Sequence, residues 1–171
     1  MNGYLLDTTA VSILWDARHP DRERINAFLQ NISLSPFWIS IVVLAEVEYG
    51  LKIAPKMDIS RQNDVRKEMG QFPFVLDLDK HTVGPYSDLR AALFKKYAPK
   101  DPKGRVAKRK RRPEDLVDRT TAKELGVQEN DIWIAAQAIQ YNLILVTQDR
   151  MSRIAEVSST LSYPLQIAAW K

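Results

Sequence analysis

The chain has 171 residues, 45% of them hydrophobic, and a formal net charge of +4, which is enough for one domain with a full core. It has no cysteine and only two histidines, which excludes disulfides, thiolate nucleophiles and cysteine-ligated zinc. The first residues lack a signal-peptide pattern, and no apolar run approaches the roughly 20 residues that span a bilayer. We therefore expect a cytoplasmic protein that does not associate with membranes.

Strands alternate with helices along the chain. Short apolar runs predict strands at 3–6, 37–39, 72–78, 143–147 and about 165–168. Apolar residues at helical spacing and polar helix-compatible runs predict helices at 8–15, 24–32, 41–52, 58–69, 83–93 and 132–139, with a short one after residue 149. Ser40 is a predicted N-cap and Asn142 a predicted helix stop. The alternation predicts a single domain over residues 1–171, a three-layer α/β/α fold around a central, mostly parallel sheet.

A basic insertion interrupts this pattern at about residues 99–125. Pro99 and Pro113 bracket its basic part, which predicts a loop. Residues 100–112 contain eight Lys or Arg and one Asp, a charge of +7, so the rest of the chain carries −3 of the total of +4. A basic arm on a mildly acidic body can gather polyanions, although a solvated, variable loop is an equally simple interpretation.

Four acids stand at the polar ends of apolar runs or early in the helices that follow. These are Asp7, Glu46, Asp131 and Asp149. Ligands of open α/β sheets bind beyond the carboxyl ends of the strands, so we expect the four side chains to lie together. Glu48 is about 200° around the helix from Glu46 and is expected to be a solvated surface charge, and Glu129 a charge at a helix N-terminus.

Clustered carboxylates repel one another, and a divalent cation removes that repulsion. An all-oxygen ligand set favours Mg²⁺ or Mn²⁺, which can activate a water against a phosphate ester. Each acid also has a purely structural interpretation. Asp7 can be an N-cap, Asp131 can complement a helix dipole, and Asp149 can be a turn residue. Glu46, flanked by apolar neighbours, is expected to be partly buried and to need a partner.

The runs YLLDTTAVS, SIVVLAEVEYG, ENDIWIAAQA and LVTQD, in this order, resemble the PIN-domain ribonucleases, most closely the VapC-type toxins of prokaryotic toxin–antitoxin pairs. The resemblance runs from residue 3 to 170 without the basic insertion. It implies catalytic and metal-binding roles for the four acids, the last standing where the family often has Asn. It also implies that Thr8 and Thr147 support the site.

The resemblance further implies Mg²⁺- or Mn²⁺-dependent RNA cleavage that leaves a 5′-phosphate and a 3′-hydroxyl, a homodimer, and inhibition by a cognate antitoxin. Under this interpretation the insertion binds the RNA backbone through Lys108, Arg109, Lys110, Arg111 and Arg112. It can instead dock onto an acidic antitoxin or ribosomal surface. Between Pro99 and Leu125 it has no aromatic residue for base stacking.

Two other functions remain to be weighed. A catalytically silent RNA- or partner-binding module would keep the fold and use only the basic insertion. A phosphatase of the haloacid dehalogenase type needs a second Asp two residues after the nucleophile, and Thr9 stands there instead. The metal-dependent endoribonuclease toxin is the leading hypothesis.

Overall fold

A computed structural model describes residues 3–54, 58–106, 112–118, 120–148 and 151–170. The described residues form five strands: β1 (Tyr4–Leu6), β2 (Phe37–Ser40), β3 (Val75–Leu76), β4 (Ile144–Thr147) and β5 (Gln166–Ala169). They form seven α-helices: α1 (Thr8–Trp15), α2 (Arg22–Asn31), α3 (Ile41–Ile53), α4 (Ile59–Gln71), α5 (Val83–Tyr97), α6 (Glu129–Gln140) and α7 (Ser152–Ser158). The predicted helices are thus present, most within two residues of their predicted ends.

The strands form one sheet in the order β3-β2-β1-β4-β5. β1 pairs in parallel with both β2 and β4, and β2 pairs in parallel with β3. The predicted α/β class with a central, mostly parallel sheet is confirmed. The strand expected at 72–78 is too long, because only Val75 and Leu76 pair. Pro73 lacks a backbone N–H, and Val75 lies exposed on an edge strand.

The chain divides into two compact units. The first unit covers residues 1–78, 142–148 and 167–171, and the second covers 79–141 and 149–166. The first contains the sheet apart from Gln166, with α1 to α4, around fully buried side chains such as Leu5, Ile39 and Leu145. The second contains α5 to α7, and its core includes Leu89 and Ile132. The single-domain organisation stays a prediction.

Polar side chains at strand ends start the helices of the first unit. The Ser40 hydroxyl accepts a hydrogen bond of 2.9 Å from the N–H of Val42, so the predicted N-cap of α3 is confirmed. Asp7 caps α1 in the same way. Asn142 has a φ of 52° just after α6, as expected of a helix stop. Because parallel strands end at one edge, these caps place the starts of α1 and α3 at the carboxyl edge of the sheet.

The described part of the basic insertion is anchored within the second unit. Isolated antiparallel bridges join Lys100 to Val106 and Val117 to Glu124, and a 3-10 turn covers Pro113–Asp115. Leu116 is buried, and Arg153 of α7 donates a 2.8 Å hydrogen bond to the Asp118 carboxylate. The described residues on both sides of the basic run are therefore held by specific contacts. No helix in the described ranges is both long and apolar enough to cross a membrane.

Candidate metal and substrate site

Asp7 lies directly after β1 and is buried, with 6% of its surface exposed. Its backbone N–H donates to the carbonyl of Val146 at 3.1 Å, which ties it to β4. Its Oδ1 accepts a 2.7 Å hydrogen bond from the N–H of Ala10. The structural interpretation of Asp7 as an N-cap is therefore confirmed. The N-cap role does not by itself exclude metal binding, which stays a prediction for Asp7.

Glu46 lies on α3 and is half-buried, as its apolar neighbours predict. The hydroxyl of Thr8 donates a hydrogen bond to its Oε2. This contact joins α3 to the residue that follows Asp7 in the chain. The fold thus brings together elements that are 38 residues apart in the sequence.

Glu48 is not the solvated surface charge that we expected. Its carboxylate accepts hydrogen bonds from Arg66 of α4 at 3.0 and 3.3 Å and forms an ion pair with Lys52. Hydrogen bonding by Arg66 lowers the pKa of the Glu48 carboxyl, ahead of the smaller effect of Lys52. Glu48 therefore holds α4 against α3, while Glu46 faces Thr8.

Thr147 ends β4 beside Asp7. In the parallel register Leu6 is opposite Val146, so Asp7 and Thr147 occupy neighbouring positions at the carboxyl edge. The side chain is 1% exposed, and its Oγ1 has no hydrogen-bond partner within the described part of the chain. A buried hydroxyl without a partner costs about 1–3 kcal/mol, so such a group calls for a ligand, an ion or an ordered water.

Asp131 belongs to the second unit. It is the third residue of α6, and its Oδ2 accepts a 2.8 Å hydrogen bond from the N–H of Gln128, completing a capping box. The expected helix-terminal role of Asp131 is therefore confirmed, and its membership of a metal site stays a prediction. Glu129 starts the same helix and pairs with Arg90 at 2.9 Å, and burial raises the pKa of its carboxyl.

Trp133 also lies on α6 and stacks on Tyr86 of α5, with ring centroids 3.6 Å apart and planes within 9°. This stacking packs α6 against α5. Arg90 lies over the Tyr86 ring at 5.7 Å and donates to its hydroxyl. The start of α6 is thus firmly held on α5 within the second unit.

Several predicted site residues lie outside the described residues. These are Asp149, Lys108, Arg109, Lys110 and Arg111. Arg112 is described and exposed, immediately before the 3-10 turn. Their predicted roles in metal and RNA binding stay predictions.

The donor chemistry at the carboxyl edge fits a hard cation. Asp7 and Glu46 supply carboxylate oxygens, and Thr147 supplies a buried hydroxyl whose Oγ1 has no partner among the described side chains and backbone. Mg²⁺ and Mn²⁺ prefer such all-oxygen sets. Within the described ranges, which omit Asp149, no group of three or more His, Asp or Glu side chains is close enough to hold a metal. The metal-binding roles of Asp7 and Glu46 therefore stay predictions.

Two clefts flank α1 in the first unit, each of about 440 Å³. One lies among α1, α3 and α4 and includes Glu46 with the largely apolar walls of Val47, Leu51 and Val65. The other starts at Thr8 and Gln148, at the carboxyl ends of β1 and β4, and has a polar lining. Ser12 and Asp16 border both clefts, and the sequence analysis selected neither residue. Their signal was weak because Ser12 is an ordinary helix residue and the partner of Asp16, Arg61, is 45 residues away in the sequence.

Comparison with known proteins identifies a family. The family model described as the PIN domain matches residues 4–158. No curated protein sequence matches the chain. Among solved structures, VapBC2 from Rickettsia felis, bound to a DNA fragment from its promoter, is similar with 21% identity and a TM-score of 0.64, each chain being 98% covered.

Two further structures share the fold over essentially the whole chain. DNA-bound VapBC from Salmonella typhimurium has 22% identity, a TM-score of 0.63 and complete coverage of both chains. VapBC-5 from Mycobacterium tuberculosis, described as a member of the VapBC family of toxin–antitoxin systems, has 19% identity and a TM-score of 0.51. It covers 100% of this chain and 99% of its own. These identities are low, so the likenesses show a shared fold.

Proposed function

The chain belongs to the PIN domain family, and from that premise we propose that it is a metal-dependent endoribonuclease acting as the toxin of a toxin–antitoxin pair. The observation that carries the proposal is the arrangement at the carboxyl edge of the sheet. There, buried Asp7 follows β1, half-buried Glu46 is joined to Thr8, and the hydroxyl of Thr147 at the end of β4 has no partner among the described residues. This edge is where open α/β sheets bind their ligands.

Each proposed site residue would have a distinct role in the reaction. Asp7 and Glu46 would hold Mg²⁺ or Mn²⁺, with Asp131 and Asp149 as the further predicted ligands. When bound, such an ion supplies Lewis-acid activation of a water and neutralises charge on the leaving oxygen of the phosphodiester. The N–H of Ala10 fixes the Asp7 carboxylate, and the Thr8 hydroxyl orients Glu46. The expected products carry a 5′-phosphate and a 3′-hydroxyl.

The partners are part of the same proposal. The VapBC complexes that share the fold support a cognate antitoxin as the inhibitor of this chain, with a basic side chain placed near the acids. We also propose a homodimer and a cytoplasmic location. The charge of +7 over residues 100–112 supports RNA binding by Lys108 to Arg112, because Lys and Arg side chains pair with the RNA backbone.

A catalytically silent RNA- or partner-binding module is the second candidate. The observation that favours it is the charge of +7 over residues 100–112, which can bind a polyanion without any catalytic site. Such a module would bind RNA equally well with Mg²⁺ or with a chelator, and neutralising the basic run would abolish binding. It would yield no cleavage products from any RNA.

The two candidates are separated by an isosteric change at Asp7. We expect Asp7→Asn to reduce RNA cleavage in Mg²⁺ or Mn²⁺ at least about a hundredfold, because a neutral amide is a poor ligand for either ion. The fold should survive, since Asn still accepts the hydrogen bond from Ala10. Asp64→Asn is the matched control, because it makes the same charge change at an exposed site of α4. Equal cleavage by wild type and Asp7→Asn would contradict the proposal.

A further inference from the structure

The polar cleft beside α1 has the size and position of a substrate subsite. It is about 440 Å³ in volume, within the range of small-molecule pockets and large enough for one nucleotide. It starts at Thr8 and Gln148, the residues that follow Asp7 and Thr147 in the chain. It continues along α1 past Thr9 and Ser12. A group bound there would lie next to the candidate metal site.

The charges of the cleft disfavour a phosphate as its occupant. Asp16 and Asp21 contribute carboxylates, and among the described residues neither a Lys nor an Arg lines it. The Asp16 carboxylate already accepts hydrogen bonds from both ends of the Arg61 guanidinium, with Nε 2.9 Å from Oδ1, and one of 3.1 Å from the N–H of Arg18. The Arg61 hydrogen bonds lower the pKa of the Asp16 carboxyl. The Asp16 carboxylate that lines the cleft is therefore ionised and held in place by its hydrogen bonds.

The remaining polar groups of the cleft can hydrogen-bond to the edge of a nucleobase and stack on its face. The N–H of Asp21 donates to Nδ1 of His19 at 3.1 Å, so a neutral His19 ring carries its proton on Nε2. Its imidazole, 32% exposed, offers a donor and a flat face for stacking. The carboxylate of Asp21, 44% exposed, offers charged acceptors, and carboxylates recognise exocyclic amino groups such as N4 of cytosine.

We propose that this cleft binds the base of a nucleotide adjacent to the scissile phosphate and prefers an amino-bearing base, cytosine, adenine or guanine, over uracil. Asp21 accepts from the amino group, while Ser12 and Gln148 hydrogen-bond to the remaining edge. The inference rests on the proposed function, because it assigns the cleft to an RNA substrate.

The test is a nucleotide titration that requires neither metal nor cleavage. Isotope-labelled protein in chelator is titrated with cytidine 5′-monophosphate and with uridine 5′-monophosphate, and backbone amide shifts are followed by NMR. We expect the amides of Ser12 and Gln148 to shift and the cytidine nucleotide to bind at least tenfold more tightly. Equal affinities, or shifts confined to other parts of the chain, would overturn the proposal.

Asp21→Asn supplies the matched variant, because Asn both donates and accepts and is an equally good residue before α2. We expect it to reduce the preference for cytidine to less than threefold, whereas Asp64→Asn on exposed α4 leaves the preference unchanged. A preference that survives Asp21→Asn would contradict the assignment of Asp21. Ser12→Ala should weaken both nucleotides without changing their order.

Failure of this inference is distinguishable from failure of the proposed function. If the protein cleaves RNA but shows no nucleotide-dependent shifts in the cleft, the subsite is wrong and the nuclease stands. If it binds the cytidine nucleotide in the cleft but cleaves no RNA with Mg²⁺ or Mn²⁺, the base-binding site stands and the nuclease is wrong.

Discussion

Replacing Thr147 by valine is expected to stabilise the folded protein and, at the same time, to slow RNA cleavage. Valine keeps the branched shape and the strand preference of threonine but removes a hydroxyl that is 1% exposed and unpartnered among the described residues. Water satisfies that hydroxyl in the unfolded chain, so its removal should raise the free energy of unfolding by about 1 kcal/mol. For a chain of this length the melting temperature should rise by about 2–4 °C.

The assay combines thermal unfolding, followed by circular dichroism in chelator, with RNA cleavage in Mg²⁺. We expect Thr147→Val to melt at a higher temperature than wild type. We also expect it to cleave RNA at least about tenfold more slowly, because the Thr147 hydroxyl supports the proposed metal site. Thr82→Val is the matched control. Thr82 is also fully buried, but its hydroxyl donates to Gln140 at 2.5 Å and accepts from the N–H of Asp79 at 3.3 Å. That control should lower stability by about 1–3 kcal/mol.

Two results would refute this reasoning. A lower melting temperature for Thr147→Val would mean that the hydroxyl has a partner in the folded protein. A higher melting temperature with unchanged cleavage would mean that the hydroxyl has no role in catalysis, and the site would then be confined to the carboxylates.

Three other changes have defined outcomes. Asp7→Ala, unlike Asp7→Asn, should lower the free energy of unfolding in urea by about 1 kcal/mol because α1 loses its N-cap, and equal stability of the two variants would deny that role. The pKa of Glu156 is lowered from 4.5 to about 2, chiefly by the hydrogen bond from Lys96, so its ionised form contributes stability above pH 4.5 that is lost as the pH falls towards 2. Over that pH window the free energy of unfolding of Glu156→Gln should fall less than that of wild type, and the difference should be about 1 kcal/mol or less because the carboxylate is 43% exposed. The same loss of stability with pH in both proteins would count against the ion pair. Replacing residues 108–112 by Gln removes five positive charges. The slope of log RNA affinity against log salt concentration should then decrease in magnitude by about 3.5. An unchanged slope would mean that these residues do not contact RNA and form a solvated loop.

The sequence predicts the parts of the fold that depend on short-range chemistry. The apolar runs that end at Asp7 and Thr147 are strands, and the caps at Ser40 and Asn142 lie where side-chain and backbone preferences place them. The strand expected at 72–78 is overextended because local β preference does not show how far an edge strand finds a partner.

Contacts between distant parts of the chain account for most of what the sequence analysis missed. Arg61 binds Asp16 across 45 residues, and Asp16 borders both clefts beside α1. His19, which the sequence did not single out, lines the cleft that starts at Thr8 and Gln148. The basic insertion was expected to be a loop, and its anchoring by Leu116 and by Asp118 with Arg153 depends on helices distant in sequence.

The central claim is metal-dependent hydrolysis of RNA at the carboxyl edge of the sheet, and the chemistry of the product ends tests it most directly. A defined RNA is incubated with wild-type protein in Mg²⁺, in Mn²⁺ and in chelator, and in parallel with Glu46→Gln, which still accepts the hydrogen bond from Thr8. The account predicts fragments with a 5′-phosphate and a 3′-hydroxyl only when wild-type protein and metal are both present. Undiminished cleavage in chelator, or fragments with a 5′-hydroxyl, would contradict it.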